Sequence, residues 1–125
     1  MNSTDMGRLG EIKALAKLVE FGWYPFTDIS GKCPVDIIAW KDGLVKSFQV
    51  KSTDSFSKSG KPMVQVGTCR PNRTTTIVKS FDKDSADYLI VYVKSTDKVY
   101  FIPSEDVTAG RGLTIQDKHD IFLVI

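Results

Sequence analysis

A carboxylate, a carboxamide and an ammonium lie close together in PVDIIAWKDGLVKSFQVKS, residues 34–52, as Asp36, Gln49 and Lys51. Asp36 interrupts an otherwise apolar run, and Gln49 and Lys51 stand two apart in the run that follows Asp42-Gly43. Oxygen donors of this kind suit Mg²⁺, with Mn²⁺ as a substitute: the Asp36 carboxylate as anionic ligand, the Gln49 side-chain oxygen as a neutral one, and the Val50 carbonyl as another. Hydrolysis of a phosphodiester is a reaction such a site could serve. It needs an activated water, compensation of charge on the phosphoryl group and a stabilised leaving oxygen. Lys51, a point charge on a mobile stem, could orient or help deprotonate the water and offset phosphate charge. A plainer reading of the same residues is a cross-strand ion pair between Asp36 and Lys51, with Gln49 an ordinary polar neighbour.

The elements that must position these groups are two strands, 35–40 and 44–51. With Asp42-Gly43 as a two-residue turn, Lys41 pairs with Leu44 and every opposed pair of residue numbers sums to 85. Asp36 then faces Gln49, and Lys51 is its diagonal neighbour. Side-chain alternation gives Asp36, Ile38, Gln49 and Lys51 one face, and Val35, Ile37, Ala39, Phe48 and Val50 the better core face. Ahead of the hairpin, residues 9–22 form the clearest helix: Leu9, Ile12, Leu15, Ala16 and Val19 make an apolar stripe, and Gly22 ends it as a left-handed cap. Glu11 falls at the edge of that stripe, where it either looks inward and completes the cation site or remains a first-turn surface glutamate.

Residues 23–34 read as a connection holding an edge strand, 52–62 as a flexible basic segment, 63–67 as a third strand and 68–76 as a polar loop. A second helix is expected over 75–85, a strand pair over 87–94 and 98–102, a helical turn at 104–107, and a closing strand over 120–125. The resulting fold class is α/β, with a central mixed sheet flanked by few helices, in a single domain spanning 1–125. Trp23, Trp40 and Phe48 are assigned to the core, with Trp40 able to shield the site. His119 lacks a partner pattern, Gly110-Arg111-Gly112 reads as a turn, and Cys33 and Cys69 follow no metal-ligand spacing.

The net charge of +2 conceals an asymmetry. Residues 41–83 carry nine basic and three acidic side chains, +6, and the remainder carries eight and twelve, −4. A basic middle section rich in Ser, Thr, Gly and Asn is what a polyanion-binding surface needs, although a solvated lysine face has the same composition. No apolar run reaches the roughly 18 residues of a membrane span. The opening MNSTDMGRLGEIKAL has no basic leader before an apolar core, so the cytoplasm is the expected location.

Glu11 in RLGEIKALAKLVEFGW, Asp36 in PVDIIAW, and Gln49 and Lys51 in FQVKS together resemble the PD-(D/E)XK nuclease superfamily. MGRLGEIKALAKLVEFGWYPF and DYLIVYVKSTDKVYFIP also look like its small group I intron-encoded homing endonucleases and Holliday-junction-resolvase-like members. Two departures stand out: Val35 separates the proline from Asp36, and Gln49 occupies a usually acidic position, which removes one negative charge from the cation site. The resemblance implies a restriction-endonuclease-like core and a Mg²⁺-dependent, site-specific DNA endonuclease, with Glu11, Asp36, Gln49 and Lys51 as the catalytic set and 5′ phosphate and 3′ hydroxyl products. It further implies that residues 53–73 grip double-stranded or branched DNA, with Lys58, Lys61, Arg70 and Arg73 on phosphates and Gln65, Asn72 and Arg73 at base edges. Cutting both strands implies a homodimer or larger symmetric assembly, for which Phe122, Val124 and Ile125 offer one candidate surface. A junction resolvase and a noncatalytic DNA-binding protein are the alternatives.

Overall fold

The computed structural model describes residues 1–71, 76–79, 81–108 and 110–124. Helix α1, Ser3–Glu20, opens the chain. It begins earlier than Leu9 because Asn2 caps it, the side-chain oxygen accepting from Asp5 N at 2.8 Å and satisfying an otherwise orphaned first-turn amide. Its other end closes as a Schellman motif. Gly22 takes φ +86°, its N–H donates to Val19 O, and Trp23 N–H reaches back to Leu18 O.

The face of α1 that packs inward carries Gly10, Ala14 and Leu18, with Leu9 and Leu15 of the expected stripe packed partly against the same core, whereas Ile12, Ala16 and Val19 are exposed. Small residues face the sheet because the helix lies close against it at Gly10, where an added Cβ would collide with the Ser52 side chain.

The strands follow as β1 (Tyr24–Phe26), β2 (Ile37–Lys41), β3 (Leu44–Thr53), β4 (Ser55–Phe56), β5 (Pro62–Gln65) and β6 (Thr68–Pro71). After them come β7 (Thr76–Lys79), β8 (Tyr88–Val93), β9 (Lys98–Pro103), β10 (Gly112–Thr114) and β11 (Leu123–Val124). Six strands form the central sheet in the order β1-β2-β3-β8-β9-β11. The β3–β8 pair is parallel and the others antiparallel, so the sheet is mixed.

The β2–β3 register runs from Lys41–Leu44 to Ile37–Phe48, the pairing required by the two-residue turn. Asp42 and Gly43 both take positive φ, +51° and +81°, as a type I′ turn demands.

Each face of the sheet has its own core. Against α1, Ala14 and Leu18 pack on Ile37, Ala39, Phe48 and Ile90. Phe48 is the hub of this layer, stacked on Tyr88 at 5.3 Å and edge-on to Trp23 at 5.9 Å. On the opposite face, Val64, Leu113 and Ile115 cover Leu89, Val91 and Ile102. These covering residues come from β5, β10 and the residue after β10, in a smaller three-stranded sheet ordered β10-β5-β4. This is the α/β restriction-endonuclease-like architecture, with α1 on one side and the small sheet and 3₁₀ turns on the other.

Several local expectations change. The segment 52–62 is not simply flexible, because β3 runs on to Thr53 and β4 pairs with β5. In place of a polar loop at 68–76 and a helix over 75–85, β6 and β7 form an antiparallel pair and Asp82–Ser85 a turn. Thr76, Ile77 and Val78 are β-branched in succession, a pattern that favours a strand. The carboxyl-terminal strand shortens to Leu123–Val124, because Asp117–Phe122 is 3₁₀ helix. Trp40 is not a core residue, since its strand position turns it away from α1 and leaves it 44% exposed.

That 3₁₀ segment explains His119, which is buried with Nδ1 accepting from Gln116 N at 2.9 Å. Burial, aided by the charge of Lys118, pushes its pKa below the ordinary value. The folded state therefore resists a proton that the unfolded chain accepts near pH 6.5. Stability should fall as the pH drops below about 6.5 and level off below the depressed pKa. Thermal melts of the wild type and His119→Leu across pH 5–8 check this, since the substitution should remove that step.

Candidate active site

The β2–β3 ladder stops at Ile37–Phe48, and the site begins where it stops. Asp36 lies just ahead of β2, outside the strand in which it was expected, so it is not paired with Gln49 in the ladder. Instead Asp36 Oδ2 accepts from Val50 N at 2.7 Å, taking the place of the missing strand partner. The N–H and C=O of one strand residue point to the same edge, so the Val50 carbonyl is directed to the Asp36 side. Gln49 Nε2 donates to Pro34 O at 2.8 Å. A carbonyl can only accept, so this bond commits the amide nitrogen and leaves Gln49 Oε1 as the atom that could ligate a cation.

Glu11 is brought to the same place by the third turn of α1. Its carboxyl pKa is raised, first by burial and then by the negative charge of Asp36. The two carboxylates therefore sense each other, and both line an opening of about 360 Å³ with Arg8, Thr27, Asp28 and Cys33. The rim of that opening is a preformed loop. Asp28 accepts from the backbone of Ser30, Lys32 and Cys33 and from the Ser30 hydroxyl, which lowers its pKa to about 2.

Lys51 and Val50 line a second, larger groove of about 880 Å³ together with Met6, Gly7, Gln65 and Arg111. The expected single opening is therefore two: Glu11 and Asp36 line the smaller, Val50 and Lys51 the larger, and Gln49 lines neither, while the Asp36–Val50 hydrogen bond links one to the other. Among the described residues, the ion pairs are Lys13–Asp97, Lys17–Glu20 and Lys61–Asp117. Asp36 and Lys51 form no such pair, so the plain ion-pair reading does not describe them.

The donor set is all oxygen: two carboxylates, one carboxamide and one backbone carbonyl, a composition that fits Mg²⁺. Among the described residues no group of three or more His, Cys, Asp and Glu side chains could hold a metal. Burial and the negative charge of Asp36, which together raise the Glu11 pKa, are the electrostatic condition that a divalent cation would relieve.

The expected DNA-contacting residues separate in position. Gln65 is exposed and lines the larger groove, and Lys58 is exposed in the β4–β5 connection. Lys61 is paired with Asp117 at 3.2 Å, so a phosphate would have to compete for it. Arg70 lies on β6, while Asn72 and Arg73 lie outside the described residues. Arg111 was read as part of a turn, yet it shares the groove of Lys51 and Gln65. The pairing of Gly112 with Gln65 and the Val66 N–H bond to Arg111 O bring it there, and a local glycine pattern cannot announce either.

Among the described residues, no helix is long and apolar enough to cross a membrane. The fold is similar to that of a solved bacterial homing endonuclease, I-Ssp6803I, with a TM-score of 0.81 at 20% identity over 96% of this chain and 83% of that one. Among curated proteins none matches. Residues 1–119 match the PD-(D/E)XK endonucleases, and this chain belongs to that family.

Proposed function

We propose that this endonuclease is a Mg²⁺-dependent, site-specific enzyme of homing type that cuts double-stranded DNA to 5′ phosphate and 3′ hydroxyl ends, working as a homodimer or larger symmetric assembly. The observation that carries this reading is the link from Asp36 to Val50 N, which sets a carboxylate and a directed carbonyl side by side beside Glu11. Glu11, Asp36, Gln49 Oε1 and the Val50 carbonyl would hold the cation. When bound, it supplies positive charge against the phosphoryl oxygens and makes water a stronger nucleophile.

The remaining work falls to the chain's own residues. Lys51 extends into the larger groove, free of a carboxylate partner among the described residues, and donates to the attacking water and a phosphate oxygen. Asp36, fixed through Val50 N, keeps its second oxygen available. Gln65 and Arg111 offer donors along the groove, and Lys58 supplies charge outside it.

Cleavage of long duplex DNA and of synthetic four-way junctions tests the proposal. In Mg²⁺ or Mn²⁺ the duplex should be cut at a few discrete positions, and EDTA should abolish cutting. Cleavage confined to junctions would replace this reading by resolution of branched DNA. Binding without cleavage of either substrate would make the protein a noncatalytic descendant.

A further inference from the structure

Among the described residues, no layer covers half of the sheet face opposite α1. The small sheet and the 3₁₀ segment cover β8 and β9, but β1, β2 and the first half of β3 present bare apolar side chains. Tyr24 stands opposite Trp40, Phe26 opposite Ile38, and Trp40 opposite Val45, so all five share one face. Their exposures are 63% for Tyr24, 62% for Phe26, 43% for Ile38, 44% for Trp40 and 61% for Val45. The Tyr24 and Trp40 rings already lean together, with centroids 5.8 Å apart. From these exposures the patch presents roughly 500 Å² of apolar surface, at the upper end of what a monomer leaves to solvent.

The chemistry of the patch selects its occupant. DNA is a poor one, because the five side chains include no cation to neutralise phosphate. Strand addition at the sheet edge is blocked in the middle of β1, where Pro25 has no N–H to offer. A flat aromatic and aliphatic face without charge suits its own two-fold image. Interfaces of stable dimers bury about 800 Å² per partner, so the patch would form the apolar centre and its polar margin the rest.

We infer that this face is the contact surface between two copies of the chain, with Tyr24, Phe26, Ile38, Trp40 and Val45 at its centre. The inference supplies the partner for the proposed two-strand cleavage and rests on that reading for its purpose. Asp36 lies two residues beyond Ile38 along the same chain, about 7 Å of extended backbone. Joining two copies here therefore brings their sites within reach of one duplex. The carboxyl-terminal strand is a weaker interface candidate, because Phe122 and Val124 pack against the two cores. Ile125 lies outside the described residues.

Sedimentation velocity over a roughly hundredfold concentration range tests the surface directly. The wild type should sediment at an even multiple of 13.9 kDa. Phe26→Lys combined with Trp40→Lys should raise the dissociation constant of the dimer by about a hundredfold or more. The milder pair Phe26→Ser and Trp40→Ser serves if the lysines disturb the circular dichroism spectrum. As a control, Ile12→Lys and Val19→Lys, exposed apolar positions on α1, should leave the mass unchanged. On supercoiled plasmid the dissociated variant should nick where the wild type linearises. A wild type that stays monomeric, or an assembly indifferent to substitutions in the patch, overturns the inference. Failure of the wild type to cut any plasmid would count against the proposed cleavage alone, because the surface is judged by mass.

Discussion

Asp36→Ala is expected to slow single-turnover DNA cleavage by roughly a thousandfold or more, while DNA affinity measured in Ca²⁺ changes little. The expectation follows from the two tasks of this carboxylate. It accepts from Val50 N at 2.7 Å, and it stands beside Glu11 as the second anionic oxygen source for a cation. Alanine removes both functions. Asp36→Asn keeps an acceptor for Val50 N but removes the charge, so it should lose as much activity with a melting temperature near that of the wild type. Alanine should cost in addition about 1 kcal/mol of stability from the orphaned amide. Lys51→Ala should reduce the rate by about a hundredfold or more and leave stability unchanged, because Lys51 has no ion-pair partner among the described residues. Normal cutting by both alanine variants would remove the site from consideration.

The largest effect on stability should come from a single methyl group at Gly10. In an exposed helix, Gly→Ala is worth about 1 kcal/mol in favour of alanine. Here the added Cβ would overlap the Ser52 Oγ and lie 3.2 Å from the Ser52 Cβ, where α1 lies against β3. We expect Gly10→Ala to destabilise the chain by about 2 kcal/mol in urea denaturation, the overpacking cost exceeding the helix gain. Ser52 Oγ is buried without a hydrogen-bond partner, so Ser52→Ala should be neutral or mildly stabilising. In the double variant the overlap is relieved, and most of the loss should be recovered as a coupling energy. Additive effects would mean that the helix and strand do not meet as described. Because Gly10 precedes Glu11, the single variant should also slow cleavage by displacing that carboxylate from Asp36.

What the sequence discloses and conceals divides along local and non-local lines. Asp42-Gly43 specifies a turn with two positive φ values, and this one dipeptide fixes the register of β2 and β3. Hence the proximity of Asp36, Gln49 and Val50 was legible. The exact start of β2 was not, because the exchange of a backbone pair for the Asp36 side chain depends on where the two strands part. The orientation of α1 was misread for a related reason. Amphipathic pattern favours the largest apolar residues, but close helix–sheet contact selected Gly10, Ala14 and Leu18. The same bias assigned Trp40 to the core and overlooked the uncovered face to which it belongs. Arg111 joins the groove of Lys51 through the β10–β5 pairing, 46 residues from Gln65 to Arg111 in sequence, beyond what local spacing conveys.

Gln49 has a consequence for the substrate. A cation of charge +2 held by Glu11 and Asp36 would be balanced by two carboxylates, giving an electroneutral cage. Lys51 then leaves a surplus positive charge facing the phosphodiester. With a third carboxylate in place of Gln49 the cage would be anionic, offset by Lys51 to zero, and the approaching phosphate would meet no net attraction at short range. The hydrogen bond to Pro34 lets the amide keep the oxygen in place without that charge. Weaker capture of the metal would thereby be exchanged for easier admission of a polyanion.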